Sequence, residues 1–351
     1  MSQSSQKSAY PTSQASPIQV LVAQTDDVRP FSRLLRGIGL KHTAVVAISM
    51  SGFEFTVEEV KTLCATAFVP VNLFQTFEFN PPEDAPVFEI SLDSLLQCLN
   101  IFGNAGSGGG GAASQGEMKS KRRWAGEDGE GDDSAYSGRG GREKRTGMRM
   151  TWAGHGEPLS MYLQDDGKGP VTTCELSTYQ PEELMEQPFD TDNRIVYVIM
   201  KSEWFREALL DLPPTSTQIT LTATPAGVDA PAYVAQATSS SNLRRTHRAD
   251  VGSFGIRAVG TFGQTQLDYP NDKGVMEVFD VERKVSFSYH SSHFAMLSRA
   301  LQQSTKLCIQ IEESGFLSVQ IMMPVAPNIP MGDHQGLVEF KMNPLEDGEE
   351  A

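Results

Sequence analysis

The sequence predicts an α+β protein made of two similar domains. An apolar run at residues 18–23 leads directly into an amphipathic helical stretch at 25–37, and the same order returns at 194–200 and 202–210. A second strand-then-helix pair, 87–90 followed by 92–99, is repeated at 285–289 and 293–301. The length of 351 residues agrees with this division, because each half is long enough to bury its own core. A duplicated arrangement of this kind, with no catalytic cluster, suits a scaffold whose function is its shape.

The elements can be justified in chain order. Residues 1–17 are polar and lack the apolar centre of a secretory signal, so they are expected to be disordered. In the first helix Val28, Phe31, Leu35 and Ile38 fall at helical spacing and form a core stripe. Arg29, Arg33 and Arg36 recur at i, i+4 and i+7 on the opposite face. Three guanidinium groups on one solvent face suit phosphate contact. The second helix turns Leu92, Leu95, Leu99 and Phe102 inward, with Asp93, Gln97 and Asn100 opposite. Residues 104–146 are Gly-rich with mixed charge and cannot bury enough apolar surface to offset their ordering entropy, so disorder is expected. Within them Gly106, Gly108 and Gly111 match a dinucleotide-binding pattern by letter but lack the strand and helix it needs. Lys119, Lys121, Arg122 and Arg123 read either as a short nuclear import signal or as a solvated linker cluster.

Further on, Val171, Thr173 and Glu175 alternate with Thr172, Cys174 and Leu176, as in a sheet with one buried face. Prolines 181 and 188 and the loss of periodicity mark 180–193 as an acidic connector crossing the surface. The third helix sets Arg206 against Glu203 and Glu207, with Lys201 at its start. Residues 226–252 form a loop insert. The fourth helix offers His293, Arg299, Gln302 and Gln303, with Lys306 beyond it, and 343–351 is an acidic tail. Surfaces that are polar but not uniformly basic would hold DNA loosely and without sequence preference.

Composition narrows the function. A net charge of −15 argues against a nucleic-acid partner unless the basic residues are segregated, as they are on the first helix. The four cysteines lie far apart inside apolar runs and read as reduced core residues of an intracellular protein. No apolar run approaches the ~18 residues of a membrane span, so no membrane association is expected. None of the six histidines joins cysteines or acids at metal-ligand spacing, and capping with solvent exposure explains His290 and His293 at a strand-to-helix junction. With no phosphate-binding loop or nucleophile elbow either, no enzymatic activity, cofactor or metal is expected.

Specific stretches carry a resemblance. They are 88–103 (FEISLDSLLQCLNIFG), 260–270 (GTFGQTQLDYP), 304–311 (STKLCIQI) and 316–321 (FLSVQI). In this order and separation they resemble the Rad-one family of checkpoint clamp subunits, whose duplicated halves are those of a processivity clamp such as proliferating cell nuclear antigen. The likeness runs over roughly residues 18–340 apart from the inserts, and the long insert at 104–146 departs from the compact family pattern.

The resemblance implies clamp domains at 18–179 and 194–342, with helices lining the inner face of a ring and antiparallel sheets outside. The ring would be a heterotrimer with Rad-nine-like and Hus-one-like subunits, opened by a clamp loader, encircling double-stranded DNA in the nucleus and recruiting checkpoint and repair factors. Arg29, Arg33, Arg36, Lys201, Arg206, Arg299 and Lys306 would face the DNA. Subunits would join through edge strands carrying Val171, Thr173 and Glu175 on one side and Gln264, Gln266 and Leu267 on the other. Leu184, Met185, Phe189 and Phe340 would supply an apolar groove for client proteins. Two alternatives belong beside this reading: a 3′–5′ exonuclease acting in repair, and a homotrimeric replication clamp.

Overall fold

Strands alternate with helices in a repeating order. The computed structural model describes residues 19–81, 86–103, 105, 145–165, 169–184, 188–227, 251–261, 263–324 and 335–345. The expected disorder at 1–17, most of both inserts, Met185 and residues 346–351 lie outside the described residues. The first half contains β1 (Leu21–Thr25), α1 (Arg29–Gly37), β2 (Thr43–Ser49), β3 (Gly52–Glu59), β4 (Leu63–Pro70) and β5 (Thr76–Phe79). It continues with β6 (Val87–Ser91), α2 (Leu92–Leu99), β7 (Thr146–Trp152), β8 (Leu159–Asp165), β9 (Val171–Leu176) and β10 (Thr178–Tyr179). The second half contains β11 (Arg194–Lys201), α3 (Ser202–Asp211), β12 (Gln218–Thr224), β13 (Ser253–Gly260), β14 (Gly263–Pro270) and β15 (Met276–Val281). It ends with β16 (Val285–His290), α4 (Ser291–Leu301), β17 (Lys306–Glu312), β18 (Leu317–Pro324) and β19 (Gln335–Met342). Four times a strand is followed by a helix and then by three strands.

The strands form three antiparallel sheets. Five strands run β5-β1-β7-β8-β9, and four run β14-β13-β12-β16. Ten run β10-β6-β2-β3-β4-β19-β18-β17-β11-β15, so the two halves of the chain share one sheet. Its seam is the pairing of β19 with β4, in register from Leu337 opposite Phe68 to Met342 opposite Leu63. The helices lie side by side in the order α2, α1, α4, α3, with α1 resting on β4 and β19 and α4 on β18 and β19. At Gly37, where α1 meets α4, a Cβ would stand only 3.3 Å from Val338 and 3.5 Å from Ala300.

Local chemistry sets the helix limits. α1 begins four residues later than the periodicity suggests, because Thr25 still pairs with Met148 at the end of β1. The Asp27 carboxylate then accepts the Arg29 N–H at 3.0 Å, and proline occupies the first turn, where its missing donor is harmless. α2 starts at Leu92 because the Ser91 side chain accepts the Ser94 N–H at 3.2 Å. The predicted stripe of α1 is the core: Val28, Phe31, Leu35 and Ile38 are all buried. Phe31 packs against Phe55 and Phe74 at ring separations of 5.7 and 6.1 Å. Removing such a ring costs about 3–5 kcal/mol.

Candidate nucleic-acid interface and open sheet edges

The outer side of the helix row is where the arginines gather. Arg33 and Arg36 of α1 and Arg299 of α4 line one shallow depression with Gln97, Asn100, Gln302 and Gln303. Arg299 donates to the Gly39 carbonyl at 3.2 Å, which ties α4 to the end of α1. Arg206 of α3 borders the adjoining depression, which also reaches Gln302. These four guanidinium groups therefore span α1, α4 and α3. Asp93, which shares the depression with Arg33, Arg36 and Arg299, is tied to His42.

Three of the expected DNA-facing residues are corrected by the structure. Arg29 folds back on Asp27, with a 2.8 Å ion pair and only 15% of its side chain exposed. Its charge is largely neutralised where it stands. Lys201 and Lys306 are cross-strand neighbours at one end of the β11–β17 pair. Strand alternation puts them on the same sheet face as Tyr197 and Cys308, away from the helices, which cover the face of Val198, Met200 and Leu307. Lys306 is further paired with Glu277 at 2.8 Å. His293, expected in solvent, is 5% exposed, with Nε2 3.3 Å from the Thr62 hydroxyl. Burial, with His290 beside it, lowers its pKa to about 4.

Two sheets end in long open edges. β9 is the last strand of the five-stranded sheet and β14 of the four-stranded sheet. The Asp165 N–H donates to the Pro170 carbonyl directly opposite it. The antiparallel alternation then turns the N–H and C=O of Val171, Thr173 and Glu175 outward, away from β8. On β14 the Asn271 N–H donates to the Gly252 carbonyl, so by the same count Gln264, Gln266 and Asp268 present their backbone outward. Each edge thus offers three alternate residues to a further strand. Val171 is 60% exposed, and Thr173, Glu175, Gln264 and Gln266 are exposed. Leu267 is the exception: it is paired with Ile256 and its side chain packs against the core. Asp268 was missed because it is one more polar residue in sequence; only the register singles it out.

Of the expected connector, Leu184, Pro188 and Phe189 can be placed. Leu184 and Pro188 line a cleft of about 300 Å³ with Cys64, Lys61, Phe316 and Lys341. Phe189 stacks on Phe316 at 6.2 Å. Phe316 was not legible as part of this cleft, since it comes from a turn far away in sequence. Phe340 does not belong there. It is fully buried, because on β19 it shares the helix-facing side with Val338 and Met342.

Residues 20–323 match the model of the family described as repair protein Rad1/Rec1/Rad17. The chain belongs to this family. It is 29% identical over 303 residues to the human protein named cell cycle checkpoint protein RAD1, covering 86% of each chain. It is 26% identical to the DNA damage checkpoint control protein rad1 of Schizosaccharomyces pombe, covering 86% of this chain and 80% of that one. A DNA repair exonuclease, REC1 of Mycosarcoma maydis, is 22% identical over 88% of this chain and 89% of its own length. Among the described residues no three His, Cys, Asp or Glu side chains group as a metal site, and no helix is long and apolar enough to cross a membrane.

Proposed function

We propose that this chain is a DNA-damage checkpoint clamp subunit that closes with two similar subunits into a ring around double-stranded DNA. The kinship with the human and fission-yeast checkpoint proteins supports the role. The observation that carries the mechanism is the pairing of two outward-facing sheet edges, β9 and β14, with an arginine-bearing helix row on one side. In this reading residues 18–179 and 194–342 are the two clamp domains and 180–193 is their connector. Long, nearly uncharged edges such as β9 and β14 invite aggregation unless a partner strand covers them. Neighbouring subunits satisfy them by strand addition.

The helix row then faces the channel, where Arg33, Arg36, Arg206 and Arg299 meet phosphates without reading bases, so the ring holds DNA by enclosure and slides. The acidic remainder of the chain faces outward. The protein acts in the nucleus, needs a loader to open the ring, and recruits checkpoint and repair factors at surfaces such as the cleft lined by Leu184 and Phe316. Catalysis has no part in this mechanism. The exonuclease reading rests on the name of the REC1 relative alone.

Thr173→Pro with Glu175→Pro is the test. These prolines remove outward donors and spare the β8 ladder, so the chain should fold and melt normally yet fail to join its partner subunits in size-exclusion chromatography. Wild-type assembly by the double variant would overturn the edge assignment. Light scattering on the isolated chain separates a heterotrimer subunit, expected as a monomer, from a self-assembling replication clamp. The assembled ring should stay on closed circular DNA and be lost when the circle is cut.

A further inference from the structure

We infer that Cys98 and Cys174 form an oxidisable dithiol, which a hydroperoxide converts into a disulfide within the chain. Cys98 lies in the last turn of α2 and Cys174 in β9, and these two elements pack directly on each other. The alternation that turns Val171, Thr173 and Glu175 outward turns Cys174 to the helix side, where it and Cys98 both pack on the core. Both are half-buried, so a small oxidant reaches them, and the Cys174 thiol stands beside that of Cys98. The remaining cysteines have different neighbours: the Cys64 thiol meets the Thr66 hydroxyl, and the buried Cys308 thiol meets the Tyr197 hydroxyl. Of the four cysteines, this pair is the one that brings two thiols together.

The two sulfurs react in two steps. Burial and the adjacent Cys174 push the Cys98 thiol up. Oxidation starts at one sulfur, taken as Cys174. Its thiolate displaces hydroxide from the peroxide O–O bond, giving a sulfenic acid, and the hydroxide takes up the released thiol proton as water. The Cys98 sulfur then attacks the Cys174 sulfur, the S–O bond breaks, and the oxygen leaves as a second water with the Cys98 proton. The two sulfurs together lose two electrons, which reduce one peroxide to two waters. In a reducing compartment the thiols are restored, so the disulfide marks transient oxidation. It would fasten an open sheet edge to the helix row. The dithiol stands on the free chain and does not require a ring.

The experiment uses the full chain with Cys64→Ser, so that the tryptic peptide holding Cys98 carries no other thiol. The reduced protein is exposed to hydrogen peroxide, free thiols are alkylated, and the digest is analysed without reductant. A linked pair of peptides bearing Cys98 and Cys174, absent after dithiothreitol and absent in Cys174→Ser, is expected. The oxidised chain should also melt at a higher temperature than the reduced chain, with no such difference in Cys174→Ser. Recovery of both cysteines alkylated at peroxide doses that oxidise free cysteine in the same solution would overturn the proposal. So would disulfides found only between chains.

Discussion

α1 and α3 hold equivalent places in the two halves of the chain, each following the first strand of its half, yet their solvent faces carry opposite balances. On α1 the half-exposed groups are Arg33 and Arg36, and Arg29 is already satisfied by Asp27. On α3 the single Arg206 stands among the exposed acids Glu203, Glu207 and Asp211. Identical architecture therefore does not imply identical electrostatics. The basic surface is concentrated at the centre of the helix row, where α1 meets α4, and fades toward the α3 end.

The sharpest way to break this contrast is to reverse the centre. Replacing Arg33, Arg36 and Arg299 by glutamate should weaken DNA retention by the assembled ring on the order of 100-fold at moderate salt. It should also flatten log K against log salt by about 0.9 for each phosphate no longer neutralised. Filter binding across a salt series measures both, and an unchanged slope would put these arginines on an outer surface.

His293 tests the packing beneath the same centre. Its pKa is lowered from 6.5 to about 4, so the folded chain binds fewer protons than the unfolded one between those values. The stabilisation is complete above pH 6.5 and is lost as pH falls toward 4, by at most ~3 kcal/mol. Urea titrations from pH 7.5 to 4 should show this loss, and His293→Gln should flatten it relative to wild type.

A smaller effect is expected at the other end of the row. Converting Glu203, Glu207 and Asp211 to lysine should strengthen DNA retention several-fold, because each exposed site changes only local phosphate attraction. Unaltered affinity would show that the α3 end lies outside the DNA path. The smallest effects belong to Arg29→Ala, Lys201→Ala and Lys306→Ala. The first charge is already paired and the other two face away from the helices, so each should stay within about twofold of wild type by the same binding assay.

Much of this was legible before any fold was known. Helix periodicity marked Val28, Phe31, Leu35 and Ile38 as core, and all four are buried. The second half's first strand and helix fall within one residue of their expected limits. These are local properties, set by spacing, capping and the period of each element. The site was legible only in part. Arg33 and Arg36 share a helix face by periodicity alone. That Arg299 joins them, from more than two hundred residues away, is a consequence of α4 lying against α1.

The sequence by itself determined where strands and helices form, which side of each is apolar, and which family the chain resembles, because these depend on neighbours within a few residues. The tertiary structure decided the rest. It removed Lys201 and Lys306 from the helix side, through strand register that adjacency to a helix does not reveal. It sent Phe340 and His293 into the interior, because their partners on other strands, Val319 and Ala65 for the first and Thr62 for the second, were not identifiable from spacing. It also selected which backbone groups of β9 and β14 point outward, since antiparallel pairing alternates donors and only the fold fixes the phase of that alternation.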